Sequence, residues 1–339
     1  MMAIEDFQRA DALMDQGAYV EAMEIYSNLA QGQKQFAPFC LYRLAAIMNI
    51  VGDPLKAYDL YYKAFSAKPD LAKYAYGDTH PSRNYIFRGK KDEQELAACP
   101  LCGNPDVHPK WCYPLPEASN YNAFFNPIRL WMYCEPCHHM FARHFPERLF
   151  IYNDNPRKPD PERFAYYSEI LSRINKYSKG LSLFEVGIGA CECLLVAREI
   201  GYEVFGIDVI DRHVQIAHEH YKLNVQTADF VEFESDKKFD VIIMGDVIEH
   251  VSDPTLALKK AHDLLCDDGA LWVSTPNFDS ACSIVTGHDD PMKRQQYHLN
   301  YFSRKSFYTL LGKCGFKPVE YNLSSHYVGS MEVIAVKRA

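Results

Sequence analysis

The sequence lacks the features that would place it in a membrane or on nucleic acid. No apolar run approaches the roughly 20 residues that span a bilayer, and the segment Met1–Asp6 has neither the basic nor the apolar part of a secretory signal. Lysine and arginine never form a run longer than two, and the formal net charge is −8. Because a binder of phosphate backbones carries a basic face, we expect a cytoplasmic protein that binds neither nucleic acid nor a membrane.

What the sequence does contain is the composition of a globular protein. Its 339 residues are 48% hydrophobic and 24% charged, which suits two or three domains of about 100–200 residues each. The 14% of aromatic residues fits large cores as well as stacking or carbohydrate-like surfaces. In a reducing compartment the 11 cysteines are expected to be thiols or metal ligands rather than disulfides.

Residues 1–72 have the pattern of four helices in two similar pairs, followed by a polar linker at 73–98. The spacing between equivalent positions is close to the period of about 34 residues in tetratricopeptide repeats, which the segment resembles; two plain helical hairpins are the alternative. Two repeats are fewer than the number usually needed for stability, so we expect packing on a neighbouring domain, or a homodimer or protein partner. The equivalent positions are Leu13 and Met48, Gly17 and Gly52, Tyr19 and Pro54, Ala22 and Ala57, and Tyr26 and Tyr61.

Two Cys-x-x-Cys pairs predict a zinc-ribbon module over residues 99–150. A tight knuckle directs two thiolates at one ion, and two knuckles complete a closed tetrahedral Zn²⁺ site with a structural role. His138 and His139 follow directly and are alternatives for one ligand. Four unrelated buried thiols or a redox pair are less favoured, because neither pair has a strand-to-helix context. The predicted ligands are Cys99, Cys102, Cys134 and Cys137.

The C-terminal half predicts an α/β fold with a mostly parallel sheet. An amphipathic helix at 161–178 lies in a connecting segment, 151–178, that we expect to cover a cofactor site. From residue 181 onward, apolar strands alternate with helical stretches, which is typical of βαβ units. The predicted strands are 181–186, 203–208, 225–228, 241–244 and 270–274.

The ends of three predicted strands carry residues suited to a nucleoside cofactor. The first strand runs into the turn Gly187-Ile188-Gly189, where the backbone can approach a ligand at a helix N-terminus. The second ends about 20 residues later at Asp208, where an acid can bind ribose hydroxyls. Asp229 follows the third strand and can take an adenine amino group, with Phe230 lining the ring.

The fourth strand is followed by Asp246-Val-Ile-Glu249-His250-Val-Ser-Asp-Pro, and a later segment reads His298-Leu-Asn-Tyr-Phe-Ser. With these motifs, residues 179–339 resemble the class I S-adenosylmethionine-dependent methyltransferases of the UbiG-like branch. The resemblance implies a Rossmann-like domain with a seven-stranded, mostly parallel sheet. It also implies that Asp246 lies where the methionine end and the acceptor meet. The residues implied to hold the cofactor are Glu185, Gly187, Gly189, Asp208 and Asp229.

A nicotinamide cofactor is the competing interpretation of this Rossmann-like pattern. An acid at Glu185, two residues before the first glycine, suits the methionine ammonium better than a pyrophosphate. Cys191 stands where the glycine pattern has its third small residue, which weakens the turn as a signature on its own.

A zinc module ahead of such a domain resembles bacterial sugar C-methyltransferases that act on nucleotide-linked deoxysugars. His298 aligns with the histidine of that family and is the candidate general base, or alternatively a histidine that orders a lid; Tyr297 stands where a glutamate is typical. Tyr297 and Tyr301 are expected to position the substrate. Tyr167, beside Tyr166, is expected to cover the cofactor or to pack in the core.

Asp246, Glu249 and His250 are also similar to the cluster of Mg²⁺-assisted O-methyltransferases. We favour a different role, in which Glu249 and His250 cap the next helix and pin the loop. The sequence as a whole predicts methylation of a small molecule, a sugar or other polyhydroxylated metabolite. The alternatives are a protein or carrier-bound substrate recruited by the helical repeats, and a non-catalytic adaptor that binds S-adenosylmethionine.

Overall fold

The computed structural model describes residues 2–114, 125–146 and 158–338. The end of the predicted zinc-ribbon module at 150 and the start of the predicted segment 151–178 therefore lie outside the described residues. The N-terminal part consists of four helices of similar length, as predicted, and each packs against the next along the chain. The helices are α1 (Met2–Asp15), α2 (Tyr19–Gly32), α3 (Ala37–Ile50) and α4 (Pro54–Ala67), followed by the single turn α5 (Ala72–Ala75).

The cysteine-containing part, which we call the Cys module, forms two small antiparallel sheets. Its strands are β1 (Gln94–Glu95), β2 (His108–Pro114), β3 (Ile128–Cys134), β4 (His139–Ala142) and β5 (His144–Phe145). β1 pairs with β5, while β2, β3 and β4 share a sheet whose fourth strand, β11 (Asn300–Tyr301), comes from far along the chain. Helix α4 packs on β2 and β3, which confirms that the helical part packs on its neighbour.

The C-terminal domain is built on a seven-stranded sheet, and each of the five predicted strands falls on an observed one. Its order is β12-β13-β10-β9-β6-β7-β8; strands β6 to β10 run parallel and β13 is antiparallel to both neighbours. The strands are β6 (Ser182–Val186), β7 (Glu203–Asp208), β8 (Val225–Thr227), β9 (Phe239–Gly245), β10 (Leu265–Pro276), β12 (Phe316–Leu323) and β13 (Ser330–Lys337). The helices are α6 (Glu162–Ile174), α7 (Glu192–Glu199), α8 (Asp211–Tyr221), α9 (Pro254–Leu264), α10 (Ala281–Thr286) and α11 (Arg304–Lys313).

The order of the strands indicates at which edge of this sheet a ligand binds. Side chains alternate along the central strands, so that Leu183 joins one apolar cluster and Phe184 joins the cluster on the opposite face. β6 lies between β7 and β9, and the direction of chain winding reverses at this point. Ligands of such sheets bind in the crevice at the carboxyl ends of the strands beside that reversal. Among the described residues, no helix combines the length and the apolar character needed to cross a membrane.

Candidate active site

A cavity of about 1030 Å³ lies at this edge of the sheet, and we call it the active-site cavity. The ends of β6, β7, β9 and β10, helix α6 and the chain around residues 292–299 line it. It brings together nearly all the residues that the sequence predicted. These are Tyr167, Glu185, Gly187, Gly189, Asp208, Asp229, Phe230, Asp246 and His298. Tyr297 is not among its lining residues.

The glycine turn after β6 adopts the conformation that its sequence implies. Gly187 has φ 75° and Gly189 has φ 50°, in the left-handed region that favours glycine. A Cβ added at Gly187 would lie 2.9 Å from the Val247 side chain, so a larger residue does not fit there without movement. Cys191, which replaces the third small residue, also has a left-handed φ, 71°, and begins α7 as its N-cap. The turn therefore keeps its form despite the cysteine.

Glu185 is a buried carboxyl whose environment calls for a cation. Burial raises its pKa well above the ordinary value, and the carboxylates of Glu192 and Asp208 raise it further. One of its carboxylate oxygens has no hydrogen-bond partner among the described residues. A buried polar atom without a partner is rare and is commonly satisfied by a ligand. The cavity thus fits the ammonium group of a methionine moiety at this point.

The acids after β7 and β8 are held in place by backbone donors. The Asp208 carboxylate accepts hydrogen bonds from the N–H groups of Gly189 (3.0 Å) and Ile210 (2.8 Å), and His213 Nδ1 lies 3.2 Å from it. Asp229 accepts from the N–H of Val231 at 2.8 Å. Both side chains line the cavity in fixed orientations, which suits the predicted contacts to ribose and adenine. The sequence analysis did not identify His213, five residues beyond Asp208 on α8.

Asp246 is presented to the cavity by an uncommon backbone conformation. Its φ is 52°, which a non-glycine residue adopts rarely and at some energetic cost. Ser274 on β10 holds it there: the Asp246 N–H donates to the Ser274 carbonyl (3.1 Å), and the Ser274 hydroxyl donates to the Asp246 carboxylate (2.9 Å). A strained residue fixed in this way is typical of a functional position.

Glu249, His250 and His298 form the second polar cluster of the cavity. One potential ligand atom from each lies within 4.8 Å of the others. Glu249 is buried, one of its oxygens accepts from the Thr275 hydroxyl (3.0 Å), and the other has no hydrogen-bond partner among the described residues. The predicted alternative metal set was Asp246, Glu249 and His250. In the structure, His298 rather than Asp246 lies beside Glu249 and His250.

Both imidazoles of this cluster are oriented by backbone carbonyls. His250 Nδ1 lies 2.9 Å from the carbonyl oxygen of Tyr297, and His298 Nδ1 lies 3.1 Å from that of Met292. A carbonyl only accepts, so each Nδ1 carries the proton and each Nε2 keeps its lone pair. Burial lowers both pKa values, that of His298 well below its usual range. Two Nε2 atoms and a carboxylate suit transition-metal dications better than Mg²⁺.

Of the two roles expected for Glu249 and His250, capping of the next helix is wrong. The N-cap of α9 is Asp253, whose side chain accepts from the N–H of Leu256 at 2.9 Å. The part of the expectation that concerns the loop is confirmed, because the Glu249 carbonyl accepts from the N–H groups of Leu299 (2.8 Å) and Asn300 (3.0 Å). Glu249 therefore joins the loop after β9 to the segment that carries His298.

Helix α6 covers the cavity, as predicted, and is fastened to the sheet by ion pairs. Arg173 lies 2.7 Å from the Glu320 carboxylate and 2.8 Å from that of Glu332, and the Tyr166 hydroxyl donates to Glu332 at 2.8 Å. Tyr167 lines the cavity, and burial together with the nearby Glu185 raises its pKa well above the usual value. Tyr166 and Tyr167 thus pack in the core and also border the cavity, so covering the cofactor and packing in the core do not exclude each other.

The four predicted zinc ligands converge. Sulfur atoms of Cys99, Cys102, Cys134 and Cys137 lie within 4.8 Å of one another, and Cys102 Sγ is 3.7 Å from Cys134 Sγ. Thiolates at the corners of a tetrahedron around zinc are about 3.8 Å apart, so this cluster fits the ion. His139 instead contacts Asn300, and His138 contacts Asp279. Neither histidine takes the place of a cysteine.

The Cys module holds the segment that carries His298. Trp131 Nε1 donates to the Lys293 carbonyl (2.9 Å), Arg129 donates to the Gln296 carbonyl, and the Ala142 N–H donates to the Leu299 carbonyl (2.8 Å). The strand β11 then pairs with β4 directly after His298. The sequence predicted the zinc module and the methyltransferase domain as separate units, and no local pattern indicated this connection.

Tyr297, a predicted catalytic residue, is not brought to the cavity. Its ring contacts Phe125 edge-on, at 5.2 Å between centroids. Its carbonyl, rather than its hydroxyl, serves the site by orienting His250. Tyr301, expected to position the substrate, is buried and its hydroxyl donates to Asp290 at 2.6 Å. Tyr297 lies in a turn before β11, and this turn separates its ring from His298.

The sheet order, the glycine turn and the acids at successive strand ends define a Rossmann-like class I methyltransferase fold. In agreement, residues 160–321 match the family model described as a methyltransferase domain.

The curated enzymes to which the chain is similar include ubiquinone biosynthesis O-methyltransferases. It is 29% identical over 129 residues to a ubiquinone biosynthesis O-methyltransferase of Pelagibacter ubique, which is 35% of this chain and 54% of that protein. It is 27% identical over 154 residues to the enzyme of the same name from Cereibacter sphaeroides, which is 42% of this chain and 62% of that protein. The chain thus spans little more than half the length of these relatives.

Among solved structures, the chain is similar to the CcbJ methyltransferase of Streptomyces caelestis. The sequence identity is 14% and the TM-score is 0.44, over 56% of this chain and 95% of that one. A second similar structure is the magnesium protoporphyrin IX methyltransferase of Synechocystis PCC 6803 with bound SAH. It has 16% identity and a TM-score of 0.42, over 52% of this chain and 84% of that one.

Proposed function

We propose that this protein transfers the methyl group of S-adenosylmethionine to a small-molecule acceptor bound in the active-site cavity. The observation that carries the proposal is the cavity itself, which is lined both by Glu185, whose carboxylate has an unpartnered oxygen, and by His298. One end offers an anion for the methionine ammonium, and the other offers a base for an acceptor. The methyltransferase domain match and the names of the relatives support the same activity.

The acceptor is proposed to be a hydroxyl group of a polyhydroxylated metabolite, such as a sugar. Both relatives are named O-methyltransferases, which supports oxygen as the methylated atom. A volume of about 1030 Å³ is at the upper end of the usual range of ligand pockets, so a cofactor and a small acceptor fit together. A substrate carried by a protein that binds the helices α1 to α4 is the alternative.

The bound cofactor supplies a methyl group on a positively charged sulfur, which is already a reactive electrophile. The work left to the protein is alignment of the acceptor and removal of its proton. Burial lowers the pKa of His298, which keeps the imidazole neutral with a lone pair on Nε2 but also makes it a weaker base than an exposed histidine. General base assistance of this kind contributes typically about 10²–10⁴-fold to a rate.

A second mechanism is favoured by the carboxylate oxygen of Glu249 that has no hydrogen-bond partner among the described residues. Glu249, His250 and His298 would hold a divalent ion through that oxygen and the two Nε2 atoms. Such an ion lowers the pKa of a bound hydroxyl and would replace His298 as the means of activating it. The proposal keeps His298 as the base, and metal removal distinguishes the two mechanisms.

The test combines calorimetry with turnover assays on the full chain. S-adenosylmethionine should bind with one site per chain, and Glu185→Ala should weaken that binding. Transfer of a radiolabelled methyl group to free sugars and phenols should then be measured with the wild type and with His298→Asn. Cofactor binding without methyl transfer to any acceptor would favour the adaptor function, and absence of cofactor binding would refute the proposal. Transfer only to a protein-bound acceptor would favour the carrier alternative.

A further inference from the structure

A second cavity, of about 540 Å³, lies between the Cys module and residues 278–293. It shares no lining residue with the active-site cavity. Residues from β2 and β3 and from the second cysteine knuckle form one side, and the chain around α10 forms the other. Its size is within the range of small-molecule sites, and no step of the proposed methyl transfer uses it.

Half-buried aromatic rings form the walls of the second cavity. They belong to Trp111, Tyr133 and Phe278. The rings of Tyr133 and Phe278 are close to perpendicular, with centroids 6.3 Å apart. Ring faces carry partial negative charge and pack well against C–H groups, so the parts of these faces that Lys293 and Lys110 do not cover suit a ligand with a flat, hydrogen-covered face.

The charges of the second cavity exclude a cationic ligand. The Lys293 ammonium lies 3.5 Å from the centroid of the Trp111 ring, and the Lys110 ammonium lies 5.6 Å from that of Tyr133. Lys293 is buried and is kept in place by the Gly287 carbonyl and by Asp290, 3.8 Å away. The protein's own cations therefore already occupy the positions that a quaternary ammonium would take in an aromatic cage.

An anionic ligand is disfavoured as well. The exposed carboxylates of Glu135 and Asp279 lie on the rim, and the positive charge of Lys293 is already balanced by Asp290. Lys110 alone does not give the surplus of positive charge that a phosphate or sulfate group requires. A ligand without net charge is the class that remains.

Hydrogen-bonding groups on the rim are fixed in advance. The Tyr133 hydroxyl lies 2.5 Å from His138 Nδ1, and His138 Nε2 lies 2.7 Å from the Asp279 carboxylate. His138 adopts a left-handed φ of 54°, an uncommon conformation that recurs at ligand sites. A ligand hydroxyl group both donates and accepts hydrogen bonds, so it can extend this row of hydrogen bonds at the Tyr133 end or at the Asp279 end.

We propose that the second cavity binds a neutral polyhydroxylated ring, such as a glycosyl group, between its aromatic walls and this Tyr133–His138–Asp279 chain. The site does not depend on the proposed methyl transfer. The two cavities are close along the chain, because Met292 lines the active-site cavity and the next residue, Lys293, lines the second cavity. A glycosylated substrate or product could therefore be held at both places.

The test uses ligand-observed NMR on the full chain with the methyl glycosides of glucose, galactose, rhamnose and N-acetylglucosamine. Affinity for one ring is expected to be weak, with a Kd on the order of 1 mM. Trp111→Ala and Asp279→Asn should each raise the Kd obtained from a saturation-transfer titration at least about fivefold, which is about 1 kcal/mol. Tyr74→Ala removes an exposed aromatic ring from the helical part and serves as the matched control.

Tryptophan fluorescence gives an independent readout. Trp131 is fully buried and Trp272 lines the active-site cavity, so a change on addition of a glycoside reports Trp111 only if it is lost in Trp111→Ala. Unchanged S-adenosylmethionine affinity shows that each variant is folded. Choline and phenyl phosphate test the two excluded classes, and preferential binding of either would overturn the proposal. It would also be overturned if no glycoside bound, or if Trp111→Ala bound glycosides as well as the wild type.

Discussion

Cofactor binding should release a proton from Glu185. In the free protein, burial and the carboxylates of Glu192 and Asp208 raise the pKa of Glu185 well above its usual value, so the group holds a proton at pH values where an exposed glutamate has lost it. The methionine ammonium would stabilise the ionised form and lower that pKa again. The proton then leaves as the cofactor enters, and affinity increases with pH.

The size of this effect follows from linkage. One pKa unit corresponds to about 1.36 kcal/mol, so affinity should rise up to about tenfold per pH unit below the pKa of free Glu185 and level off above it. The rise should end near pH ~7.7–8.0, where an α-amino group loses its own charge. Breaking a buried charged pair costs about 2–5 kcal/mol, so Glu185→Ala should weaken binding roughly 30- to 4000-fold.

Calorimetry in two buffers of different ionisation enthalpy measures the released proton directly. The apparent binding enthalpy should differ between the buffers for the wild type and should not differ for Glu185→Gln. Glu199→Gln, an exposed change on α7, is the matched control. Equal enthalpies in both buffers, with the same pH dependence in wild type and Glu185→Gln, would refute the argument.

The same carboxyl should affect the stability of the cofactor-free protein. Because its pKa is raised from 4.5 in the folded state, the folded protein holds a proton that the unfolded chain loses as pH rises above that value. Stability therefore falls with pH between 4.5 and the raised pKa. Glu185→Gln should remove this part of the pH dependence in thermal unfolding.

His298→Asn should lower kcat by about 10²–10⁴-fold with little change in cofactor affinity, measured by steady-state kinetics and calorimetry. Chelators that leave the cysteine-bound ion in place should not change turnover. Atomic emission on the treated protein can verify that this ion is retained. Cys134→Ser should reduce the zinc content from about one ion per chain and lower the melting temperature, because a structural metal contributes folding energy. Arg173→Met should cost about 3 kcal/mol in denaturant unfolding, because the buried Glu332 carboxylate loses its cationic partner and keeps only the hydrogen bond from Tyr166.

Each of these expectations has a definite contrary outcome. His298→Asn with wild-type turnover, matched by the exposed control His218→Asn, would remove His298 as the base. Activity lost on chelation and restored by Mn²⁺ would establish the metal mechanism instead. A folded, zinc-free wild type would contradict the structural site. Arg173→Met with unchanged stability would show that the ion pairs of α6 contribute nothing net.

The parallel strands and the acids at their ends could be predicted because the signals are local. A buried strand needs only its own run of apolar residues, and the carboxyl ends of parallel strands necessarily share one edge. Asp208 and Asp229 were therefore identified by position along the chain. The cap of α9 was misassigned because Asp253 and Glu249 both precede that helix, and only backbone geometry shows which carboxylate meets an N–H group.

The position of Tyr297 could not be predicted in the same way. Its neighbour His298 lines the cavity in a segment that is held by hydrogen bonds from Trp131, Arg129 and Ala142, which lie far earlier in the chain. No local pattern around residue 297 contains this information. Alignment with a related family suggested both residues, and the contacts with the Cys module decided their positions.

The sequence by itself determined the two cysteine knuckles, the parallel sheet and the line of acids from Glu185 to Asp246. Each depends on spacing within one short segment. Only the tertiary structure decided that His298 joins Glu249 and His250, that the Cys module holds this segment, and that a second cavity forms beside Trp111. These features depend on contacts between residues distant in the chain, whose geometry is set by sheet pairing and core packing rather than by local pattern.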